Sequence, residues 1–173
     1  AHLDFINAGA EIIITSAYQL SYLGCGNRGW SELQTDEALY KSTQLAKDAV
    51  SQSGKDVKVA ASVGPYGAAL ADGSEYRGNY GVGKTALKDF HAKRIELLIA
   101  SNPDYLALET MPDTQEVEVL LDLLSDCPIP YWISYSCKEG NQTNAGQSFA
   151  SAVDLAQSAM AVGINCTAPE LIS

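Results

Sequence analysis

The chain has 173 residues, 46% hydrophobic and 18% charged, with 21 acidic side chains against 11 basic ones and a formal net charge of −10. This balance excludes nucleic acid and anionic membrane surfaces as main partners, because both need clustered lysine and arginine. No apolar stretch reaches the ~20 residues of a membrane helix. The four cysteines, Cys25, Cys127, Cys137 and Cys166, show neither C-x-x-C pairing nor dense disulfide spacing. They read as reduced thiols of a cytoplasmic protein. The sequence starts at Ala1, so the lack of a secretory signal carries little weight. The length suits one domain with a real core, residues 1–173.

In chain order, Leu3, Phe5 and Ile6 before Ala8 and Gly9 read as the end of a helix. A β-branched run from Glu11 to Ala17 predicts a strand. Glu32 to Gln52 carries Leu33, Ala38, Leu39, Leu45, Ala46 and Ala49 at helical spacing. A second strand is expected from Val57 to Val63, ending at Gly64-Pro65. The Gly-rich stretch from Gly64 to Gly83 is the one long loop, and loops that long in compact domains are often functional. After Thr85, Leu87, Phe90, Ile95, Leu98 and Ile99 share a helix face. Tyr105 to Thr110 predicts a third strand, Thr114 to Leu124 a helix with acids in its first turn. Tyr131 to Ser136 predicts a fourth strand, Phe149 to Met160 a helix, and Val162 to Asn165 a fifth strand.

Short apolar strands alternating with helices imply an α/β fold with a parallel sheet. Two architectures satisfy the pattern: an open doubly wound sheet, or part of a (β/α)8 TIM barrel. A complete barrel usually takes ~250 residues. The chain opens on a helix end and stops just after a strand, so it reads as a partial barrel, about strands 2–6 with their helices.

In either parallel architecture chemistry collects at the carboxyl ends of the strands. Glu109 sits at one such end. A buried carboxylate there needs a cation or donor, either a substrate amino group or a neighbouring side chain. Cys166 sits at another, as a buried hydrophobe, a nucleophile or a thiolate ligand for a soft metal. The nucleophile reading is poor, because His2 and His91 are the only histidines. His91 falls in a helix pattern, with an exposed or packing role. A metal site of Cys25, Cys137 and Cys166 is one way to reach the three protein ligands that zinc needs. Cys127, before Pro128, reads as structural. Gly78-Asn-Tyr-Gly-Val-Gly83-Lys84-Thr85 matches the P-loop pattern letter for letter, so a nucleotide-binding protein is the alternative. What precedes it, Ala71 to Arg77, is polar and turn-like rather than a strand.

Four stretches carry a resemblance to a known family. They are Asp4 to Ala10 leading into Ile14-Thr-Ser-Ala-Tyr-Gln19; Ser62-Val-Gly-Pro-Tyr-Gly67 continuing to Ala71-Asp-Gly-Ser-Glu-Tyr-Arg-Gly-Asn-Tyr-Gly81; Leu106-Ala-Leu-Glu-Thr110 with Gln115-Glu116; and Val162-Gly-Ile-Asn-Cys-Thr-Ala-Pro169. In order and over nearly the whole chain, they resemble the zinc-dependent homocysteine S-methyltransferases, whose fold is a (β/α)8 barrel. The resemblance implies that a Zn2+-activated homocysteine thiolate takes a methyl group from a small-molecule sulfonium donor, S-methylmethionine or S-adenosylmethionine, to give methionine. It implies that Cys166 is the first of three zinc cysteines. The family's other two form a Cys-Cys pair after a Gly-Gly that is absent here, as is its N-terminal Asp-Gly-Gly. Glu109 matches the carboxylate that holds the substrate amino group. Asn165 and Ser134 are expected as pocket contacts, and Tyr18 as a residue facing the donor or packing at the barrel mouth. With one zinc cysteine, the 173-residue chain alone is expected to be inactive, a truncated barrel fragment with unpaired outer strands.

Overall fold

The computed structural model describes residues 1–172. In chain order the elements are α1 (His2–Asn7), β1 (Ile12–Ile14), α2 (Tyr22–Gly26), α3 (Glu32–Ser53), β2 (Lys58–Val63), α4 (Tyr66–Leu70), α5 (Lys84–Ala100) and β3 (Tyr105–Met111). There follow α6 (Thr114–Leu123), β4 (Tyr131–Tyr135), β5 (Cys137–Lys138), β6 (Gln142–Thr143), α7 (Phe149–Leu155) and β7 (Ala161–Ile164). Five strands form one sheet in the order β1-β2-β3-β4-β7, and every pairing is parallel. A doubly wound sheet reverses its strand order at a switch point. This sheet runs in sequence order without reversal, which is the winding of a partial (β/α)8 barrel.

Side-chain alternation separates the two faces of the sheet. Ile13, Val59, Ala61, Val63, Leu106, Leu108, Ile133 and Tyr135 point to the helix side and are buried. Most join Ile95 and Leu98 of α5 and Val117 and Leu120 of α6 in the main core. Ile13 and Val59 instead pack with Ile6, Ala46 and Ala49 of α1 and α3. The opposite face carries small or polar residues, among them Ala60, Ser62, Ala107, Glu109, Ser134 and Gly163, together with the aromatic pair Tyr105 and Trp132. At its β1 end this inner face leaves Ile12 and Ile14 open, 44% and 41% exposed.

The local signals place most element ends. Ser31 and Gln34 close a capping box on α3, and Gly54 ends that helix in the left-handed region. Asp113 caps α6 by accepting from the Gln115 N–H at 3.0 Å. Three differences from expectation have physical causes. The strand at Glu11–Ala17 shortens to Ile12–Ile14, because Ser62 N–H bonds the Thr15 hydroxyl at 3.0 Å instead of a backbone carbonyl. The helix expected to reach Met160 stops at Leu155, since Met160 N–H already bonds Tyr131 O at 2.9 Å and starts the β4–β7 ladder. The long loop from Gly64 to Gly83 contains α4 and a 3-10 turn, Ser74–Tyr76.

That loop is fastened by buried charge. Arg94 of α5 is 1% exposed and donates to the carbonyls of Leu20 (3.3 Å) and Gly64. It thereby ties the loop after β1 to the loop after β2. Burial pulls its guanidinium down to about 10, which still leaves it charged at neutral pH. Glu116 of α6, fully buried, accepts from the Tyr66 N–H at 2.6 Å and pairs with His91 Nε2 at 2.6 Å. His91 is therefore no surface residue; burial holds its imidazole below the ordinary range. Replacing Arg94 with methionine should cost about 1–3 kcal/mol in urea unfolding, because the carbonyls of Leu20 and Gly64 then lose their donor. A change under ~1 kcal/mol would mean the cluster is solvated in solution.

Candidate active site at the carboxyl ends of the strands

The expected site residues come together on one rim. At the end of β3 the register with β4 shifts between Leu108 and Met111. The shift is made at Thr110, which has φ +60°, an unusual conformation for a β-branched residue. Cys166, just past β7, has φ +49°. Asn165 holds the two together. Its Oδ1 accepts from Thr110 N–H at 3.0 Å, and its Nδ2 donates to Thr110 Oγ1 at 3.0 Å. The Thr110 oxygen thus accepts from Asn165, and its own proton points toward Cys166 Sγ at 3.5 Å. Two left-handed residues at the ends of β3 and β7, which flank β4 in the sheet, store strain of ~1–3 kcal/mol each, the kind found where a side chain must be aimed. The Cys166 thiol is aimed outward and is exposed.

Glu109 lies one residue before this clamp, on the inner face. Its Oε1 is buried with no hydrogen-bond partner, and so is the Ser62 hydroxyl beside it. Burial raises the Glu109 carboxyl above the ordinary range, and the Ser62 hydroxyl offsets part of that. Ser134 stands in the same lateral row, opposite Gly163 on β7. Tyr18 closes the rim from the β1 side. A Cβ at position 64 would lie 2.4 Å from its carbonyl oxygen and 2.7 Å from its ring, so glycine is required there. The Tyr18 hydroxyl is buried without a hydrogen bond, and burial pushes its ionisation far above the ordinary range. It is a neutral phenol. Beyond it opens a cleft of about 610 Å³, lined among others by Gln19, Trp30 and Ala68.

The other cysteines do not join Cys166. Cys25 lines the far side of the cleft. Cys137, in β5, packs beside Phe149 and Ile164. Cys127 donates to Ile129 O at 3.6 Å, a structural contact. Among the described residues no three His, Cys, Asp or Glu side chains are grouped to hold a metal. The three-cysteine site within this chain is thereby corrected. So is the P-loop: Gly78 to Gly83 follows a 3-10 turn instead of a strand, and Lys84 pairs with Glu118 on the surface.

Several residues here carried no readable sequence signal. Thr110 gives no hint of its left-handed backbone. Asp113 looked like a first-turn acid, yet it also receives Asn79 N–H at 3.1 Å and Gln147 Nε2 at 2.9 Å, joining three loops at the rim.

A family model described as homocysteine S-methyltransferase matches residues 1–173. The chain belongs to the homocysteine S-methyltransferase family. Homocysteine S-methyltransferase 3 of Zea mays is 40% identical across 99% of this chain. Homocysteine S-methyltransferase 1 of Arabidopsis thaliana is 38% identical over the same share. The chain spans 56% and 58% of those two relatives' lengths. The crystal structure of the homocysteine methyltransferase MmuM from Escherichia coli, in its metallated form, superposes with a TM-score of 0.91 at 38% identity. That match covers 98% of this chain and 62% of MmuM. A metal is therefore present in a related structure of the same winding.

The geometry makes two predictions. Asn165→Ala leaves the buried Thr110 amide without its acceptor and should cost about 1–3 kcal/mol in denaturant unfolding. Glu109→Gln should raise the melting temperature at neutral pH. The raised carboxyl means that ionising Glu109 opposes folding, fully so above its folded-state titration. The gain should vanish in acid, where wild-type Glu109 is protonated in both folded and unfolded chains. A Glu109→Gln variant that melts lower at neutral pH would contradict this reading.

Proposed function

We propose that the protein containing this chain transfers a methyl group from a sulfonium donor, S-methylmethionine or S-adenosylmethionine, to homocysteine, yielding methionine. The observation that carries the reading is the rim itself. It has an exposed thiol aimed by a strained clamp, and beside it a half-buried carboxylate with no cation of its own. Residues 1–173 serve in this reading as a single incomplete homocysteine-binding barrel unit.

Cys166 suits a soft metal as one thiolate ligand, being free and exposed at a strand end. The described residues offer no second and third ligand around it. Cys166 is accordingly one ligand of a zinc site that this chain alone does not complete. Zinc, when bound, lowers the pKa of a thiol that joins it and so supplies a thiolate at neutral pH. Glu109 holds the homocysteine α-amino group, which is the cation its buried oxygen lacks. Ser134 and Asn165 line the homocysteine pocket, Asn165 chiefly by fixing Thr110. Tyr18, neutral and facing the cleft, borders the donor. The homocysteine sulfur attacks the methyl carbon; the donor's C–S bond breaks and its electron pair stays on a neutral thioether. No proton is needed by that leaving group, so the rim needs no general acid. This accords with His91 lying buried against Glu116.

The four free cysteines favour a reducing, cytoplasmic setting. No helix among the described residues is long and apolar enough to cross a membrane.

The test is an assay of the full-length protein with homocysteine and each donor. Methionine should form, and Cys166→Ser should abolish it together with tight zinc binding. Zinc-loaded full-length protein that methylates homocysteine from neither donor would refute the proposal. Glu109→Gln should raise the homocysteine KM by about tenfold or more, the scale of one lost charge-assisted contact.

A further inference from the structure

A second carboxylate at the rim lacks a partner. Glu75 lies in the 3-10 turn Ser74–Tyr76, within the loop after β2, and that turn packs against β3. The residue is 8% exposed, and its Oε2 is buried with no hydrogen-bond partner. Ion pairing does not relieve it either. The neighbouring cation, Arg77, is turned away: it donates to Ser74 Oγ at 2.9 Å and pairs with Asp72 at 3.7 Å. The turn is seated firmly. A Cβ at Gly67 would lie 2.5 Å from the Glu75 backbone nitrogen, so α4 and the turn are in direct backbone contact. Glu75 and Cys166 both lie within electrostatic reach of the Tyr18 and Tyr76 hydroxyls. A buried carboxylate with no cation is costly in the empty site and is satisfied when a cation arrives.

Three positive groups must be accommodated if the proposed function holds, on which this inference rests. Two are amino groups, that of homocysteine, assigned to Glu109, and the donor's own. The third is the donor's sulfonium, which carries a fixed positive charge. We infer that Glu75 is a specificity-determining residue that recognises the positive charge of the methyl donor and so selects a sulfonium over a neutral thioether. Its position fits: its turn packs against β3 and α4, and α4 supplies Ala68 and Leu70 to the cleft wall.

The electrostatics predict which kinetic constant responds. The donor's charge disappears as its methyl group leaves, so a carboxylate beside it favours bound donor more than the transition state. Glu75 therefore serves donor affinity, and removing it should not slow the chemical step. It also favours release, because the neutral thioether product loses the attraction.

The experiment uses the full-length protein at saturating homocysteine, with S-methylmethionine varied. Glu75→Gln should raise the donor KM about tenfold or more, leave the homocysteine KM unchanged, and leave kcat equal or higher. In parallel, S-methylmethionine and its neutral isostere, with carbon in place of the sulfonium sulfur, are compared for binding. Wild type should prefer the sulfonium at least tenfold, and Glu75→Gln should lose that preference. A folded Glu75→Gln variant with unchanged donor KM overturns the inference. Wild type that binds the neutral isostere as tightly as the sulfonium also overturns it, and this arm decides the matter even if the variant does not fold. Absence of any methyl transfer by wild type refutes the proposed function instead, so the two failures are distinguishable.

Discussion

Everything at the rim depends on five strands pairing in parallel and in sequence order. Parallel pairing without reversal puts every carboxyl end on one side and packs α1, α3, α5, α6 and α7 against one face. Residues as distant as Tyr18, Ser62, Glu109, Ser134 and Cys166 then share a neighbourhood. The price is a set of loops that must cross a surface rich in unpaired polar groups, and the structure fastens them with buried charge. Arg94 binds carbonyls from two loops, and Glu116 binds the backbone of a third segment through Tyr66. Neither ion lies at the rim's chemistry. Both decide where the loop that carries Glu75 can sit.

The rim itself is under-satisfied, and the pattern is uneven. Residues that shape it are fully bonded: both ends of the Asn165 amide are used, and Asp113 accepts from three donors. Residues that face the opening are not: Tyr18, Ser62, Glu75 and Glu109 each bury a polar atom with no partner. Buried polar groups are normally paired, so a group of orphans on one rim marks where ligand atoms belong. Two of the four are carboxylates, which suit positively charged ligand groups.

Strain adds a further level. Thr110 adopts a left-handed backbone that a β-branched residue avoids, and the β3 bulge begins there. The cost is tolerated because Asn165 fixes both its amide and its hydroxyl. The result is a defined direction for Cys166 Sγ, supported by a short polar chain instead of a flexible loop.

The sequence alone determined the α/β class, the order of strands and helices, and the positions of Glu109 and Cys166 at strand ends. Those features follow from local rules: β-branched runs, helical periodicity and caps such as Ser31 and Asp113 act over a few residues. Periodicity could not choose between a doubly wound sheet and a barrel, because that choice lies in the order in which strands pair. It could not show that Cys25 and Cys137 stand apart from Cys166, nor that His91 is buried against Glu116. The left-handed Thr110, the orphaned Glu75 and the loop-tying Arg94 were equally invisible, since Thr110 and Arg94 are defined by partners 30 or more positions away and Glu75 by having none. Tertiary structure decided them, because burial and hydrogen-bond satisfaction are properties of what surrounds a residue in space.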